Sequence, residues 1–242
     1  MSGDRNVANL VERYILGERD FQGIELPEAD LRGVDLSGAK LDGANLTGAE
    51  LCRANLTDTS LVRANLAMAE ISGASLTGGN FSYANLFGVS LCGAEMVGAN
   101  FTAVNFKGAV MWGANLSEAN LTEAVLDGAD LKGATLGRAD LRRAQIKNVD
   151  LSRANLRGAN LFQGNLSASI LERADLRGTI LVMVVLNGAD LSRADLREAI
   201  LEQDSTHFTD LKTVNLTEAV YDGETRFNPS FSPERAGMRK VA

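Results

Sequence analysis

Residues 41 to 60 read LDGANLTGAELCRANLTDTS, and a leucine returns at every fifth position: Leu41, Leu46, Leu51 and Leu56. The same interval continues in both directions. From Phe21 to Leu201, all 37 positions of this series hold Leu, Ile, Phe or Met. A second series of small residues stands two positions earlier, and between residues 29 and 199 it has 35 positions, 25 of them alanine. A repeat of this regularity has to be interpreted before any single helix or strand.

A period of five fits neither the 3.6 residues of a helical turn nor the two-residue alternation of a strand. The chain must therefore turn within each repeat and return the same two side chains to the interior. Glycine often lies two residues after the large side chain, as at Gly43 and Gly48, and Asn or Asp often precedes it, as at Asn45 and Asn55. Glycine permits the backbone angles of tight turns, and Asn and Asp bond nearby backbone groups there.

Units such as 44–48 (ANLTG) and 129–133 (ADLKG) resemble the pentapeptide-repeat family, whose consensus is Ala, Asp or Asn, Leu, a polar residue and any residue. The resemblance runs from Arg19 to Gly223. It implies an all-β fold, a right-handed quadrilateral β-helix with one repeat on each side and four repeats in each coil. Residues twenty apart then stack, and about ten coils spaced like strands, at about 4.8 Å, give a rod about 48 Å long.

The limits of the repeat predict three parts: a helical cap over 1–18, the β-helix over 19–223 and a capping tail over 224–242. Asn6 to Leu16 carries the apolar stripe of a short amphipathic helix. Such a helix suits a cap, because the terminal coil of a solenoid otherwise exposes its core.

The pattern is lost between Leu201 and Phe208, where Thr206 occupies a position of the large series. An irregular coil or small loop is expected there, and the register resumes at Leu211. Phe227 and Phe231 are predicted to fold back over the last coil.

Composition favours a cytoplasmic protein without a membrane segment, since no apolar run reaches membrane-spanning length. Residues 1–20 lack the pattern of a signal peptide. Cys52 and Cys92 are forty residues apart, so they are expected in one column about 10 Å apart, too far for a disulfide. Free thiols are typical of a reducing compartment.

The formal charge of −7 is unevenly distributed. Residues 1–120 carry 8 basic and 14 acidic side chains (8 − 14 = −6), whereas residues 121–242 carry 16 and 17 (16 − 17 = −1). The N-terminal half is therefore the anionic one.

Catalysis is not expected. A nucleophile needs a positioned base, and His207 is the single histidine, without a Cys or Ser partner at a recognisable spacing. No spacing of metal ligands and no phosphate-binding glycine loop occurs, so neither a metal nor a cofactor is predicted.

Solenoids present extended surfaces that bind other molecules, and two outward features stand out. The first is an arginine edge formed by two columns: Arg153, Arg173 and Arg193, and one repeat further on Arg157, Arg177 and Arg197. One interpretation is a solvated edge partly neutralised by aspartates, namely Asp150, Asp175, Asp190 and Asp195. The other is the docking site of an acidic partner surface, because stacked like charges repel unless something compensates them.

The second feature is outward apolar surface. Phe87 and Trp112, with Tyr83, are predicted on the middle coils, as bare surface or as partner anchors, since Trp and Tyr often anchor interfaces. A further apolar group lies near the C-terminal end and is expected to be covered by the tail; it comprises Ile180, Ile200 and Val220, with Phe162, Val182 and Met183.

The segment from Leu10 to Ile24 is also similar to the leader of single-domain cyanobacterial members of the family that regulate heterocyst differentiation. This resemblance implies a monomeric interaction scaffold that binds the master transcription regulator and relieves its inhibition by a short peptide, without direct binding to nucleic acid. The alternative is the gyrase-binding branch of the family, which mimics DNA. The overall acidity fits that branch, but the arginine edge places positive charge where a DNA mimic requires negative charge.

Overall fold

The computed structural model describes residues 2–204 and 207–241. The chain winds into a β-helix, as predicted. From Asp20 to Ile200, the residue that precedes each large core side chain forms a parallel bridge with the residue twenty positions later, beginning with Asp20 and Lys40 and ending with Ile180 and Ile200. Four repeats of five residues therefore make one coil, and each column of the surface consists of residues twenty apart.

A β-turn within each repeat produces the change of direction. The amide of Ala44 donates to the carbonyl of Leu41 over 3.0 Å, and the same bond recurs along the chain. The third residue of the turn has a positive φ, 66° at Gly43 and 59° at Arg53. Glycine adopts this conformation without cost, whereas other residues are disfavoured in it.

Asparagine and aspartate side chains fix the approach to each turn. Asn45 Oδ1 accepts the amide of Thr47 over 3.2 Å, and Asn85 Oδ1 accepts the amide of Phe87 over 3.3 Å. The sequence prediction that these residues bond nearby backbone groups is confirmed.

The core is a column of leucines and alanines, nearly all of them fully buried. Three phenylalanines fill its middle. The rings of Phe81 and Phe101 stack with centroids 5.0 Å apart, and Phe106 lies 5.1 Å from Phe101. All three side chains are fully buried, as expected of core residues.

Helix α1, Ser2–Ile15, lies against the first coil. Leu10 is fully buried in the core cluster, and Tyr14 Oη donates to the carbonyl of Ser37 over 2.8 Å. The helix begins four residues before the predicted start at Asn6.

The irregular segment after Leu201 is a short antiparallel hairpin of β1 (Glu202–Asp204) and β2 (His207–Phe208). Thr206, which occupies the broken position, lies outside the described residues. The hairpin adds one repeat length to its coil, so the next two bridges join residues 25 apart, Asp190 with Asn215 and Asp195 with Val220, and the last joins Ile200 with Arg226, 26 residues later.

This insertion corrects one predicted column. Val220 lies beside Asp195 and does not continue the column of Ile180 and Ile200; Arg226 pairs with Ile200 instead. The prediction failed because it extended the twenty-residue spacing across the hairpin. Val182 is nonetheless buried, and Ile180 is half-buried.

The C-terminal segment folds back on the rod. Strand β4 (Arg239–Lys240) pairs in parallel with β3 (Val220–Tyr221). Phe227 packs edge-on against Tyr221 at 5.6 Å, and Phe231 lies 5.2 Å from Phe227. Both phenylalanines contact the core, as predicted.

Candidate partner-binding surface

The arginine edge runs along one corner of the C-terminal coils. Arg153, Arg173 and Arg193 each occupy the third position of a turn, with φ of 59°, 58° and 60°. The second column lies one repeat further on, where the amides of Gly158 and Gly178 bond the carbonyls of Arg177 and Arg197 in the next coil over 2.9 Å. The structure therefore brings the six predicted arginines together as two adjacent columns.

Aspartates neutralise the upper part of the second column. Arg177 Nε donates to Asp175 Oδ1 over 2.8 Å, and Arg197 Nη2 donates to Asp195 Oδ2 over 2.6 Å. Arg177 also lies 3.7 Å from Asp195. These pairs support the predicted neutralisation by Asp175 and Asp195.

Glutamates neutralise the upper part of the first column. Arg193 Nε donates to Glu218 Oε2 over 2.8 Å, and Glu172 Oε1 lies 3.6 Å from Arg173 and 3.8 Å from Arg193. The sequence reasoning missed Glu218, because the hairpin places it 25 residues after Arg193 rather than twenty. The sequence identifies Glu218 as the neighbour of Arg193 only when the residues inserted by the hairpin are counted.

Two aspartates that were predicted to neutralise the edge bond backbone instead. Asp150 Oδ1 accepts the amide of Ser152 over 2.8 Å, and Asp190 Oδ1 accepts the amide of Ser192 over 2.9 Å. They cap the turns of their own repeats. Among the described side chains, neither forms an ion pair with an arginine of the edge.

Arg153 and Arg157, at the lower end of the edge, are both exposed. Neither forms an ion pair with a described carboxylate. Arg157 lines a shallow groove together with Asn155, Gly158 and Arg138, and Arg138 lies 3.7 Å from Glu118. The two guanidinium groups at the lower end of the edge are therefore exposed and form no ion pair with the described side chains.

The two exposed aromatic residues lie on the middle coils, below the arginine edge. Trp112 is 55% exposed and Phe87 is 44% exposed, in agreement with the predicted outward orientation. Trp112 precedes Gly113, which stands in the column of Arg153 two coils lower, so Trp112 adjoins the line of the first arginine column. Phe87 stands in a different column, on another side of the rod.

The expectation that His207 is not catalytic stays a prediction, because its side chain lies outside the described residues. Within the described part of the chain, no group of His, Cys, Asp and Glu side chains could hold a metal ion. No described helix has the length and apolar character needed to cross a membrane.

Comparison with family models decides the assignment. Eight copies of the model "Pentapeptide repeats" match between residues 18 and 203, a span of 186 of the 242 residues. The chain is a pentapeptide-repeat protein. This membership accords with the β-helix described above.

Similar solved structures include other pentapeptide-repeat proteins. HetL from the cyanobacterium Nostoc, a protein involved in heterocyst differentiation regulation, is 34% identical, with 88% of this chain and 91% of HetL covered and a TM-score of 0.45. A protein from the thylakoid lumen of Arabidopsis thaliana is 28% identical over 43% of this chain and 70% of its own, with a TM-score of 0.34. Full-length QnrB1, a plasmid-mediated fluoroquinolone resistance protein, is 18% identical over 92% and 93%, with a TM-score of 0.36. Among curated proteins, none matches significantly.

The Arg177–Asp175 pair of this pentapeptide-repeat protein predicts a measurable pH dependence. The Arg177 side chain donates to Asp175 and holds the pKa of that carboxyl below its ordinary value of 3.8. A carboxyl whose pKa is lowered by folding stabilises the fold above its unfolded pKa, and this contribution is lost as the pH falls toward the folded pKa. Carboxyl NMR titration should place the Asp175 midpoint below 3.8, and Arg177→Gln should raise it.

Arg157→Gln is the matched control for this titration. Arg157 acts on Asp175 only through space, and it is the weakest of the causes that lower the pKa. The control should therefore raise the Asp175 midpoint less than Arg177→Gln does. Equal shifts in the two variants would contradict the assignment of the effect to the Arg177 hydrogen bond.

Proposed function

We propose that this chain is a non-enzymatic, cytoplasmic protein-interaction scaffold, and that the lower end of its arginine edge binds an acidic surface of a protein partner. The observation that carries the proposal is the contrast within the edge. Arg173, Arg177 and Arg193 are compensated by carboxylates of this chain, whereas Arg153 and Arg157 are not. A carboxylate of a partner would complete the pattern, and bidentate pairing with arginine is among the stronger charged contacts.

The geometry of this scaffold is part of the proposal. The twenty-residue spacing and the turn in each repeat support a quadrilateral shaft, with 1–18 as an N-terminal helical cap, 19–223 as the β-helix and 224–242 as a capping tail. Burial of Leu10 against the first coil supports the role of α1 as the cap. The two free cysteines support a cytoplasmic location.

The finer proposal names the partner as the master transcription regulator of heterocyst differentiation, whose inhibition by a short peptide this chain would relieve. The leader between Leu10 and Ile24, similar to that of single-domain cyanobacterial members, supports this choice. Direct binding to nucleic acid is not part of the proposal. Phe87 and Trp112 are proposed as secondary anchors on the middle coils.

The test is calorimetric titration of the purified regulator with the wild-type chain and with Arg153→Glu/Arg157→Glu. In the proposed complex each arginine faces a carboxylate of the partner. We expect the double reversal to weaken binding at least about tenfold, because each introduced glutamate would repel that carboxylate. Arg53→Glu is the matched control, since Arg53 stands in the column of Arg153, five coils away, with the same φ of 59°. This control should bind like the wild type.

Arg153→Gly separates binding from folding, because glycine suits the left-handed turn at least as well as arginine. It should fold normally and still bind more weakly. Binding that survives the double reversal would exclude the arginine edge as the site. Lack of binding by the wild type would exclude the heterocyst regulator, and inhibition of gyrase supercoiling would favour the DNA-mimic branch instead.

A further inference from the structure

Helix α1 contacts two sides of the first coil and leaves a third side open. Tyr14 Oη donates to the carbonyl of Ser37, and the Arg13 guanidinium lies 5.0 Å from the centre of the Phe21 ring. On the third side a groove separates the helix from Asp30. We call the backbone of residues 30–32, beside this groove, the open edge.

The backbone groups of the open edge lack the partners that the next coil has. The amide of Glu50 and the carbonyls of Glu50 and Cys52 are bonded to the coil below, over 2.9, 2.8 and 3.0 Å. The equivalent groups of the open edge are the amide of Asp30 and the carbonyls of Asp30 and Arg32. None of these three groups has a backbone partner among the residues that the structure describes. The open edge can therefore accept one more strand.

The helix supplies apolar walls beside this edge. Ile15 and Leu16 are 76% and 79% exposed. In each coil the residue after the bridging position points inward, as Leu31 does. On a strand added below Asp30, that residue would point into the groove. Backbone bonds and a side-chain pocket are the two elements of recognition by strand addition. The groove is lined by the apolar residues Val7, Ala8, Val11, Ile15 and Leu16, and by the carboxylates Glu12 and Asp30.

The charge of the first coil determines which strand it can accept. Residues 20–39 carry one basic and five acidic side chains (1 − 5 = −4). The basic residue is Arg32, which already bonds Asp30 over 2.8 Å. Glu12 and Glu28 are exposed and form no ion pair with a described basic side chain. Like charges oppose the pairing of this edge with that of a second copy, whereas a positively charged strand is attracted.

We propose that the open edge binds an extended, positively charged segment of a partner protein, which adds a parallel strand below Asp30 and inserts one apolar side chain into the groove. In the register of the interior coils, two amides of the segment bond the carbonyls of Asp30 and Arg32, and one of its carbonyls accepts the Asp30 amide. The third residue before the apolar one lies beside Glu28, where a lysine or arginine meets a carboxylate. This inference does not depend on the proposed function, which concerns the arginine edge.

Fluorescence anisotropy with a labelled peptide tests the added strand. The probe is Lys-Thr-Lys-Leu-Ser-Gly-Ala with blocked ends, in which leucine takes the inward position and the first lysine lies beside Glu28. We expect saturable binding to the full chain. Methylation of the leucine amide nitrogen should weaken it at least about tenfold, because the donor to the Asp30 carbonyl is lost. Serine in place of leucine should also weaken it at least about tenfold, because the apolar contact is lost.

A matched pair of protein variants tests the groove. Ile15→Lys places a charge in the apolar wall and should weaken peptide binding at least about tenfold. Because Ile15 is exposed, its circular dichroism spectrum should match that of the wild type. Val185→Lys adds the same charge at another exposed apolar residue, 41% exposed and near the opposite end of the rod. This control should bind the peptide like the wild type.

Hydrogen exchange followed by NMR locates the bound strand. The Asp30 amide should exchange faster than the Glu50 amide of the same column, which donates to the carbonyl of Ala29 over 2.9 Å. A saturating concentration of peptide should slow exchange at Asp30 at least about tenfold and leave Glu50 unchanged, because only the Asp30 amide gains a hydrogen bond.

Three results would overturn the proposal. The first is the absence of saturable binding up to about 1 mM peptide, the range of weak specific association. The second is equal affinity for the peptide and its methylated form, which would exclude strand addition. The third is a wild-type chain whose Asp30 amide is protected by self-association, since a second copy would then occupy the edge.

Discussion

Replacing Phe101 with alanine is expected to lower the free energy of unfolding by about 3–5 kcal/mol. The ring is fully buried, and it contacts Phe81 at 5.0 Å and Phe106 at 5.1 Å. Alanine would leave a cavity between two aromatic rings that are held by their own coils. Since the backbone of each coil is bonded to the coils on both sides, the shaft has little freedom to collapse around that cavity.

Chemical denaturation followed by circular dichroism measures this loss. Phe101→Leu is the informative control, because leucine is the commonest large residue of the repeat and fits the same position of most coils. It should cost less than half as much as the alanine variant. Phe101 lies in a middle coil, so fraying of the ends cannot relieve the defect. A loss below about 1 kcal/mol would show that the aromatic cluster is not packed as described.

The core could be predicted in detail from the sequence because one physical rule governs it. Each repeat must turn, and it has room for one large and one small inward side chain. The positions of Leu41, Phe81 and Ala44 in the interior follow from that rule alone. The stacking of Phe81 with Phe101 required the twenty-residue coil in addition. The twenty-residue coil was not contained in the period of five; it came from the resemblance to known repeats, and the bridges agree with it.

The region after Leu201 could not be predicted for a related reason. A periodic argument holds only while the period holds, and a hairpin between Glu202 and Phe208 changes the spacing of every later column. The inserted hairpin is the reason that Val220 was assigned to the wrong column and that Glu218, the partner of Arg193, was missed. The lost pattern at Thr206 signalled an irregularity, but it did not determine how many residues the insertion would add.

The candidate surface was also predictable only in part. The two arginine columns were predictable, because column membership depends only on spacing. The pairing of each arginine was not, because it depends on side-chain conformation. Asp175 and Asp150 both accept the backbone amide two residues later, but only Asp175 has an arginine there, Arg177, whose guanidinium it also bonds. The uncharged Asn155 holds the corresponding position before Arg157.

Gly79 is one of the few positions in the series of small residues that carry no side chain. A Cβ atom there would lie 2.7 Å from Phe81 Cε2 and 3.1 Å from the carbonyl of Leu76. Phe81 is stacked on Phe101 and fully buried, so the ring cannot move away at low cost. Gly79→Ala should therefore lower the free energy of unfolding by about 1–3 kcal/mol, the usual cost of overpacking.

Gly79 and Phe81 then form a coupled pair. Phe81 is larger than the leucine of most repeats, and its ring occupies the space that an alanine side chain would fill at position 79. In a Phe81→Leu background the clash with the ring disappears, and alanine is the residue that most repeats carry at this position. Gly79→Ala should there be neutral or stabilise by about 0.5 kcal/mol, because alanine loses less backbone entropy on folding. A double-mutant cycle by chemical denaturation measures the change of sign. If Gly79→Ala costs the same in both backgrounds, the strain lies in the backbone at Leu76, and the two positions are independent.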